Sequence, residues 1–168
     1  RKTRFAWCWF HSYRESSAMW KVYGNQGVAI KSNIGKICGA LEKSEREFVF
    51  GRMTYVNHRT DPGFNPERKS DYELLLKPFF LKRSEYKSEE EIRFVTAAAD
   101  REDRGGILLK NLQPEEWISE IRLWPGLNYE EVQSIKRAVE HFAPTVDCER
   151  SDLFSTNAGM TDFFALVD

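Results

Sequence analysis

The chain has 168 residues, with 25 basic side chains against 26 acidic ones and a formal net charge of −1. Apolar residues make up 41% of it and aromatic residues 14%, a composition that indicates a folded protein and excludes a disordered one. The balanced charge gives no bulk signal for nucleic-acid binding. Because a chain of this length can bury a core without disulfides or metal, we predict a single domain over 1–168.

Apolar and aromatic residues from Phe5 to Phe10 predict a buried strand at the beginning of the chain. Ser16 or Ser17 is suited to cap a short helix that ends near Gly24. The pattern then predicts a strand, an amphipathic helix and an alternating strand, which cover Gly27–Lys31, Asn33–Lys43 and Glu47–Val56.

Turn signals in the middle of the chain predict a loop over His58–Lys69. The capping box Ser70–Glu73 opens a predicted helix over Asp71–Lys82, in which Pro78 predicts a kink or a break. Two further predicted strands cover Ile92–Ala97, with Ile92 and Phe94 facing the core, and Gly106–Lys110.

In the last part of the chain, Pro114 begins a brief helical turn and a strand is predicted over Trp117–Leu123. A capping box at Asn128 opens a helix that runs to Phe142, and a short strand covers Thr145–Glu149. The predicted core side chains of this part are Ile118, Ile121, Leu123, Val132, Ile135, Val139 and Phe142. Since no regular βαβ repeat is present, we predict an α+β fold with a mixed, mainly antiparallel sheet and several helices packed against it.

The cysteines and the start of the chain bear on its location. Cys8, Cys38 and Cys148 form an odd, scattered set, which predicts reduced thiols in a cytoplasmic protein, with Cys8 as a small core residue. No apolar run is long enough to span a membrane, and no signal peptide is recognisable. The chain enters a strand-like run directly after Arg1, which indicates that an N-terminal portion is absent.

Several motifs resemble the bacterial family named domain of unknown function 2971, and they occur in that family's order from about Phe5 to Phe154. Cys8-Trp-Phe-His11 is followed by Ser17-Ala-Met-Trp-Lys-Val-Tyr23, and later by Tyr86-Lys-Ser-Glu-Glu-Glu-Ile-Arg93. Tyr86, Ser88 and Ile92 replace aromatic residues that are typical of the family. The family also begins with a strand that this chain lacks, and the placement of 155–168 stays open.

The most suggestive chemical set is Glu89, Glu91 and Arg93. If Glu89–Thr96 is extended, these three side chains share one face, and Arg93 would hold a neighbouring carboxylate ionised. Trp20 and Tyr23 share a helix face at a spacing of three. An ionised carboxylate in a pocket with two such rings suits a glycosidic-bond reaction.

This arrangement is similar to that of ADP-ribosyltransferases in the order of an early aromatic region and a late Glu strand. The resemblance implies that Glu91 is the catalytic carboxylate, that Glu89 and Arg93 support it, and that NAD is the substrate. Trp20 and Tyr23 would shape the pocket. His11 would line a cleft near Tyr13. The mechanism requires the acidic strand and the aromatic helix to meet across an accessible cleft.

Simpler interpretations of the same residues stay open. Ser88-x-x-Glu91 is also a capping box, three consecutive Glu residues are commonly a solvated surface, and Trp20 and Tyr23 could be core residues. No metal site is predicted, because the His and Cys residues lack ligand spacing.

Two other classes of function are compatible with the sequence. One is a nucleic-acid-binding module, for which Arg1, Lys2 and Arg4 are interleaved with Trp7 and Trp9. A second basic stretch contains Arg52, His58, Arg59, Arg68 and Lys69. The other class is a non-catalytic sensor or protein-interaction domain of a bacterial defence or conflict system.

Overall fold

The computed structural model describes residues 4–24, 26–44, 46–57, 59–60, 76–97, 106–110 and 112–153. The described strands are β1 (Arg4–Phe10), β2 (Val28–Lys31), β3 (Val49–Arg52), β4 (Thr54–Val56), β5 (Leu81–Arg83), β6 (Glu91–Ala97), β7 (Glu120–Leu123) and β8 (Asp147–Arg150). The α-helices are α1 (Ser17–Tyr23), α2 (Ile34–Glu42), α3 (Pro114–Trp117) and α4 (Tyr129–Phe142), with 3₁₀ helices at Lys77–Phe80 and Ser84–Glu89. Helices are combined with mainly antiparallel sheets, which confirms the α+β prediction.

The chain divides into two compact units. The first contains Arg1–Arg14 and Ala40–Leu112, and the second contains Glu15–Gly39 and Gln113–Asp168. The prediction of one domain over 1–168 stays a prediction. No helix of the described residues is long and apolar enough to cross a membrane.

The first unit is built on a three-stranded antiparallel sheet in which β6 lies between β1 and β3. Side chains alternate along β6, so Glu91 and Arg93 lie on one face and Ile92 and Phe94 lie on the other. Ile92 and Phe94 are buried, as predicted. Glu91 is buried as well, which places a charged side chain on a strand that is covered on both faces.

Two predicted elements of this unit differ from the structure. The strand predicted over Glu47–Val56 is two strands that meet at Met53, whose N–H donates to the Glu91 carbonyl at 2.9 Å. The residues predicted to end the helix at Lys82 form instead a 3₁₀ helix over Lys77–Phe80, which contains Pro78, and then β5. The prediction of helix over 71–75 lies outside the described residues. β5 pairs in parallel with β4, so the two strands form a small ribbon.

The second unit has a sheet in which β7 lies between antiparallel β2 and parallel β8. The predicted capping box of α4 is confirmed, since the Asn128 side chain accepts the Glu131 N–H at 2.9 Å and the Glu131 carboxylate accepts the Asn128 N–H at 2.8 Å. The core of this unit contains Ile118, Ile121, Leu123, Leu127, Val132, Ala143 and Val146.

Four further predictions are wrong. The strand predicted over Trp117–Leu123 begins only at Glu120, because Trp117 is the last residue of α3 and 118–119 connect the two elements. No strand forms over Gly106–Lys110. Phe142 is 72% exposed because it is the last residue of α4. Cys8 is exposed rather than a core residue.

Helix α1 forms between the predicted caps. The Ser16 hydroxyl accepts the Met19 N–H at 3.3 Å, and the Gly24 N–H donates to the Trp20 carbonyl at 3.0 Å. A Cβ atom at Gly24 would lie 2.3 Å from the Trp20 ring, so the indole needs a glycine at this position to pack against the end of its own helix.

Candidate functional site: a carboxylate cluster on strand β6

The Glu91 side chain is 5% exposed and is held by two cations. Arg93 Nε donates to Glu91 Oε1 at 2.7 Å, and Lys82 Nζ donates to Glu91 Oε2 at 2.9 Å. The Arg93 guanidinium also donates to the Phe79 carbonyl at 2.7 Å through Nη1. We call Glu89, Glu91, Lys82 and Arg93 the carboxylate cluster. Glu91 and Arg93 share one face of β6, as the alternation predicts.

The ribbon of β4 and β5 supplies further contacts that position Glu91. Tyr55 and Lys82 are register partners in this ribbon. The Tyr55 hydroxyl accepts the backbone N–H of Glu91 at 2.8 Å, while Lys82 contacts the Glu91 carboxylate. Both the main chain and the side chain of Glu91 are therefore bound to one element.

Glu89 joins the cluster in a different way from the one predicted. It is the last residue of the 3₁₀ helix Ser84–Glu89, and Glu90 turns the chain in the left-handed region with φ 39° before β6 begins. The Glu89 carboxylate accepts a hydrogen bond from Lys82 Nζ. The capping-box interpretation of Ser88 is wrong, because Glu91 begins a strand rather than a helix.

The cluster keeps Glu91 ionised. Burial by itself raises the pKa of Glu91, but the hydrogen bonds from Arg93, Cys8 and Lys82 outweigh it and lower the pKa to about 2. Burial tends to lower the pKa of Lys82, but its hydrogen bonds with Glu89 and Glu91 raise it above its ordinary value. With this lowered pKa, Glu91 is ionised near neutral pH and is poorly suited to act as a general acid or base.

Cys8 belongs to the surroundings of the cluster, because its register partner on β6 is Arg93. The pKa of the Cys8 thiol is raised, mainly by partial burial of its sulfur. The hydrogen bond with Glu91 and the negative charge of Glu91 raise it further. A raised pKa disfavours the thiolate that nucleophilic chemistry needs. Cys8 acts here as a thiol that lowers the pKa of Glu91, and no nucleophilic role is indicated.

Trp20 and Tyr23 belong to the second unit, whereas the carboxylate cluster belongs to the first. Trp20 is 4% exposed, and its Nε1 donates to Glu15 Oε2 at 2.8 Å. Trp20 is therefore a core residue whose only polar side-chain atom has a hydrogen-bond partner. Tyr23 is 64% exposed and is not a core residue. The meeting of these rings with Glu91 across a cleft stays a prediction.

His11 lies in the first unit, but its ring contacts Arg52 rather than a carboxylate, with 3.3 Å between His11 Nε2 and Arg52 Nη2. Tyr13 is 99% exposed and therefore forms no wall of a cleft for His11.

The two predicted basic regions are only partly described. Arg1, Lys2, His58, Arg68 and Lys69 lie outside the described residues. Of the first region, Arg4 lies on the face of β1 opposite to Trp7 and Trp9, so these side chains do not form one interleaved surface.

The second unit contains an ion-pair network of the same design. Glu120-Ile-Arg122 on β7 repeats Glu91-Ile-Arg93 on β6, and Glu120 is 9% exposed. Lys31 Nζ lies 2.8 Å from one Glu120 carboxylate oxygen, and the Arg122 guanidinium contacts the other. The hydrogen bond from Lys31 lowers the pKa of Glu120. The same arrangement of a Glu-Ile-Arg strand and a lysine partner thus occurs in both units. Such an ion-pair network can therefore have a purely structural role.

Sequence reasoning missed Tyr55, Lys82 and Cys8 as members of the site. Lys82 was considered only as the end of the helix predicted over Asp71–Lys82, and no local signal pointed to the tyrosine. Among the described residues, no group of three or more His, Cys, Asp or Glu side chains is arranged to hold a metal ion. Comparison of the chain with protein-family models, curated proteins and solved structures found no match.

Proposed function

We propose that the chain is a nucleotide-binding domain with ADP-ribosyltransferase-like chemistry, in which NAD is the substrate and the nicotinamide–ribose bond is broken. The observation that carries the proposal is the geometry of the carboxylate cluster, in which Lys82 binds the carboxylates of both Glu89 and Glu91 and Arg93 binds that of Glu91. The same proposal includes membership of the bacterial family of unknown function 2971, which the motif order from Phe5 to Phe154 supports. It also includes a cytoplasmic location, which the odd, scattered set of cysteines supports.

The ion pairs of the two carboxylates with Lys82 bear on the type of reaction that the cluster suits. A carboxylate that stays ionised is unsuited to general acid catalysis, but it can stabilise positive charge that develops in a transition state. Breaking the nicotinamide–ribose bond of NAD builds such charge on the ribose ring. The bond's electron pair leaves with the nicotinamide, which departs as a neutral molecule and needs no proton from the protein. Water or the nucleophile of an acceptor then bonds to the ribose carbon and loses its proton to solvent.

The two carboxylates have unequal access to a ligand. The Glu91 side chain is 5% exposed, whereas the Glu89 side chain is 15% exposed. We therefore assign the contact with the ribose to Glu89, and we assign Glu91 the positioning of Lys82 and Arg93. Tyr86 supplies an aromatic ring in the same unit, since it is 49% exposed and lies 5.2 Å from Lys82 Nζ.

The test is an assay of nicotinamide release from NAD by the wild-type protein and two variants. Glu89→Gln should reduce the rate by at least about a hundredfold, because it removes the charge that faces the ligand. Glu90→Gln is the matched control, since it removes the same charge from the exposed neighbouring residue and should leave the rate unchanged. If the wild type releases no nicotinamide and shows no heat of NAD binding by calorimetry, the proposal is wrong.

A second candidate function is a non-catalytic interaction module, as in a bacterial defence system. The charge balance of the cluster favours this candidate, because its two carboxylates are neutralised by its two cations. Lys82 joins β6 to β5, and Arg93 joins β6 to the 3₁₀ helix Lys77–Phe80. In that case Glu89→Gln would change only the thermal stability. The absence of nicotinamide release, together with normal folding of all variants, would support this candidate.

A further inference from the structure

The other face of the first unit's sheet carries an exposed aromatic ring that the proposed chemistry does not use. Phe50 on the edge strand β3 is 47% exposed and stacks on Phe94, with ring centroids 5.2 Å apart and an interplanar angle of 23°. Its register partner is Phe94, whereas Arg93 is the partner of Gly51. Phe50 and the carboxylate cluster therefore lie on opposite faces of the same sheet.

Arg52 lies two residues along β3 on the same face as Phe50, since its register partner is Ile92. Its guanidinium is exposed and donates toward His11 Nε2 at 3.3 Å. Within the described part of the chain, no carboxylate lies within ion-pair distance of Arg52. The positive charge of Arg52 is thus not neutralised by its described surroundings.

We propose that Phe50, Arg52 and His11 form a contact site for one nucleotide of a single-stranded nucleic acid. The Phe50 ring stacks on a base, and Arg52 and His11 contact the phosphate. Two residues of a strand advance by about 6.6 Å, which is comparable with the reach from a base to its own phosphate. Aromatic rings that stack bases beside cations that follow the backbone are the general basis of single-strand binding.

The exposure of the site favours a polymer over a free nucleotide. Sites for small molecules are concave and enclose most of their ligand, whereas Phe50 stands on an edge strand and is open over about half of its surface. A long strand compensates for a weak contact per nucleotide by making several contacts. The proposal does not depend on NAD chemistry, because the carboxylate cluster lies on the opposite face.

The experiment is fluorescence anisotropy of a labelled oligothymidine of about 12 nucleotides, titrated with the full chain at low and moderate salt. We expect binding with a Kd at or below about 100 μM at low salt, weakening as salt increases. Phe50→Ala should raise Kd about fivefold or more, because it removes one stacked base. Arg52→Gln should raise Kd and reduce the slope of log Kd against log salt by about one, because one phosphate contact is lost.

The matched control is Phe142→Ala, which removes another exposed phenylalanine beside a histidine, in this case His141 at a ring distance of 4.7 Å. It should bind like the wild type. Arg52 is exposed, so Arg52→Gln tests the site even if Phe50→Ala weakens folding. No binding by the wild type at about 100 μM, or equal binding by Arg52→Gln and the wild type, would overturn the proposal.

Discussion

Tyr55 and Lys82 lie opposite each other on the parallel strands β4 and β5, and both bind Glu91. The Tyr55 hydroxyl accepts the Glu91 backbone N–H at 2.8 Å, and Lys82 Nζ donates to the Glu91 carboxylate at 2.9 Å. A single register pair thus binds both the main chain and the side chain of the first residue of β6.

Replacement of Glu91 by Gln should destabilise the protein by about 2–3 kcal/mol, because Lys82 and Arg93 would lose the charge that compensates their burial. The estimate lies below the value for fully buried pairs, since the Lys82 and Arg93 side chains are 22% and 18% exposed. Urea unfolding measures the change. Glu90→Gln should have almost no effect, and an equal loss for both variants would contradict the prediction.

Replacement of Glu120 by Gln should give a loss of similar size in the second unit. Glu120 has the same Glu-Ile-Arg context, a similar burial of 9% and a lysine partner, Lys31, at 2.8 Å. Lys31 is 63% exposed, however, so the loss should be somewhat smaller than for Glu91. A larger loss at Glu120 than at Glu91, measured by urea unfolding, would show that exposure of the partner does not govern the energy.

The pH dependence of stability should reveal Glu91 directly. Its pKa is lowered to about 2 in the folded chain, from an ordinary value of about 4.5. Its contribution is therefore complete above the unfolded pKa and is lost as the pH falls from about 4.5 toward 2. The difference in unfolding free energy between the wild type and Glu91→Gln should shrink over this interval. A difference that stays constant from pH 6 to pH 2 would contradict the lowered pKa.

Replacement of Tyr55 by Phe should cost about 1 kcal/mol, because the Glu91 N–H loses its acceptor while the ring remains. Urea unfolding of Tyr55→Phe measures this contribution. Tyr13→Phe is the matched control, since Tyr13 is 99% exposed and should contribute nothing. Equal midpoints for the two variants would mean that solvent replaces the Tyr55 hydroxyl without loss.

Replacement of Gly24 by Ala should destabilise the protein by about 1–3 kcal/mol, because its Cβ atom would lie 2.3 Å from the Trp20 ring and force the indole to move. Gly39 lies inside α2, and a Cβ atom added there would have no atom within 4 Å, so Gly39→Ala is the contrasting variant. It should stabilise the protein by about 0.5–1 kcal/mol. Thermal unfolding distinguishes the two, and opposite signs are the expected result.

Features that depend on neighbours within one turn or one strand were predictable from the sequence. The caps at Ser16 and Asn128 involve residues three positions apart, and the alternation of Glu91, Ile92, Arg93 and Phe94 follows from strand geometry alone. The lack of an α-helix through Pro78 agrees with the geometry of that one residue. These signals identified the α+β class and the shared face of Glu91 and Arg93.

The tertiary structure alone decided which partners Glu91 has and which hydrophobic side chains are covered. Tyr55 reaches Glu91 across 36 residues of sequence. Cys8 and Tyr23 are exposed although they lie in apolar segments, and Phe142 is exposed because its helix ends there. Local patterns specify how a segment bends and which side chains share a face. Burial and ion pairing depend on which distant segment packs against that face, and no short stretch of sequence contains this information.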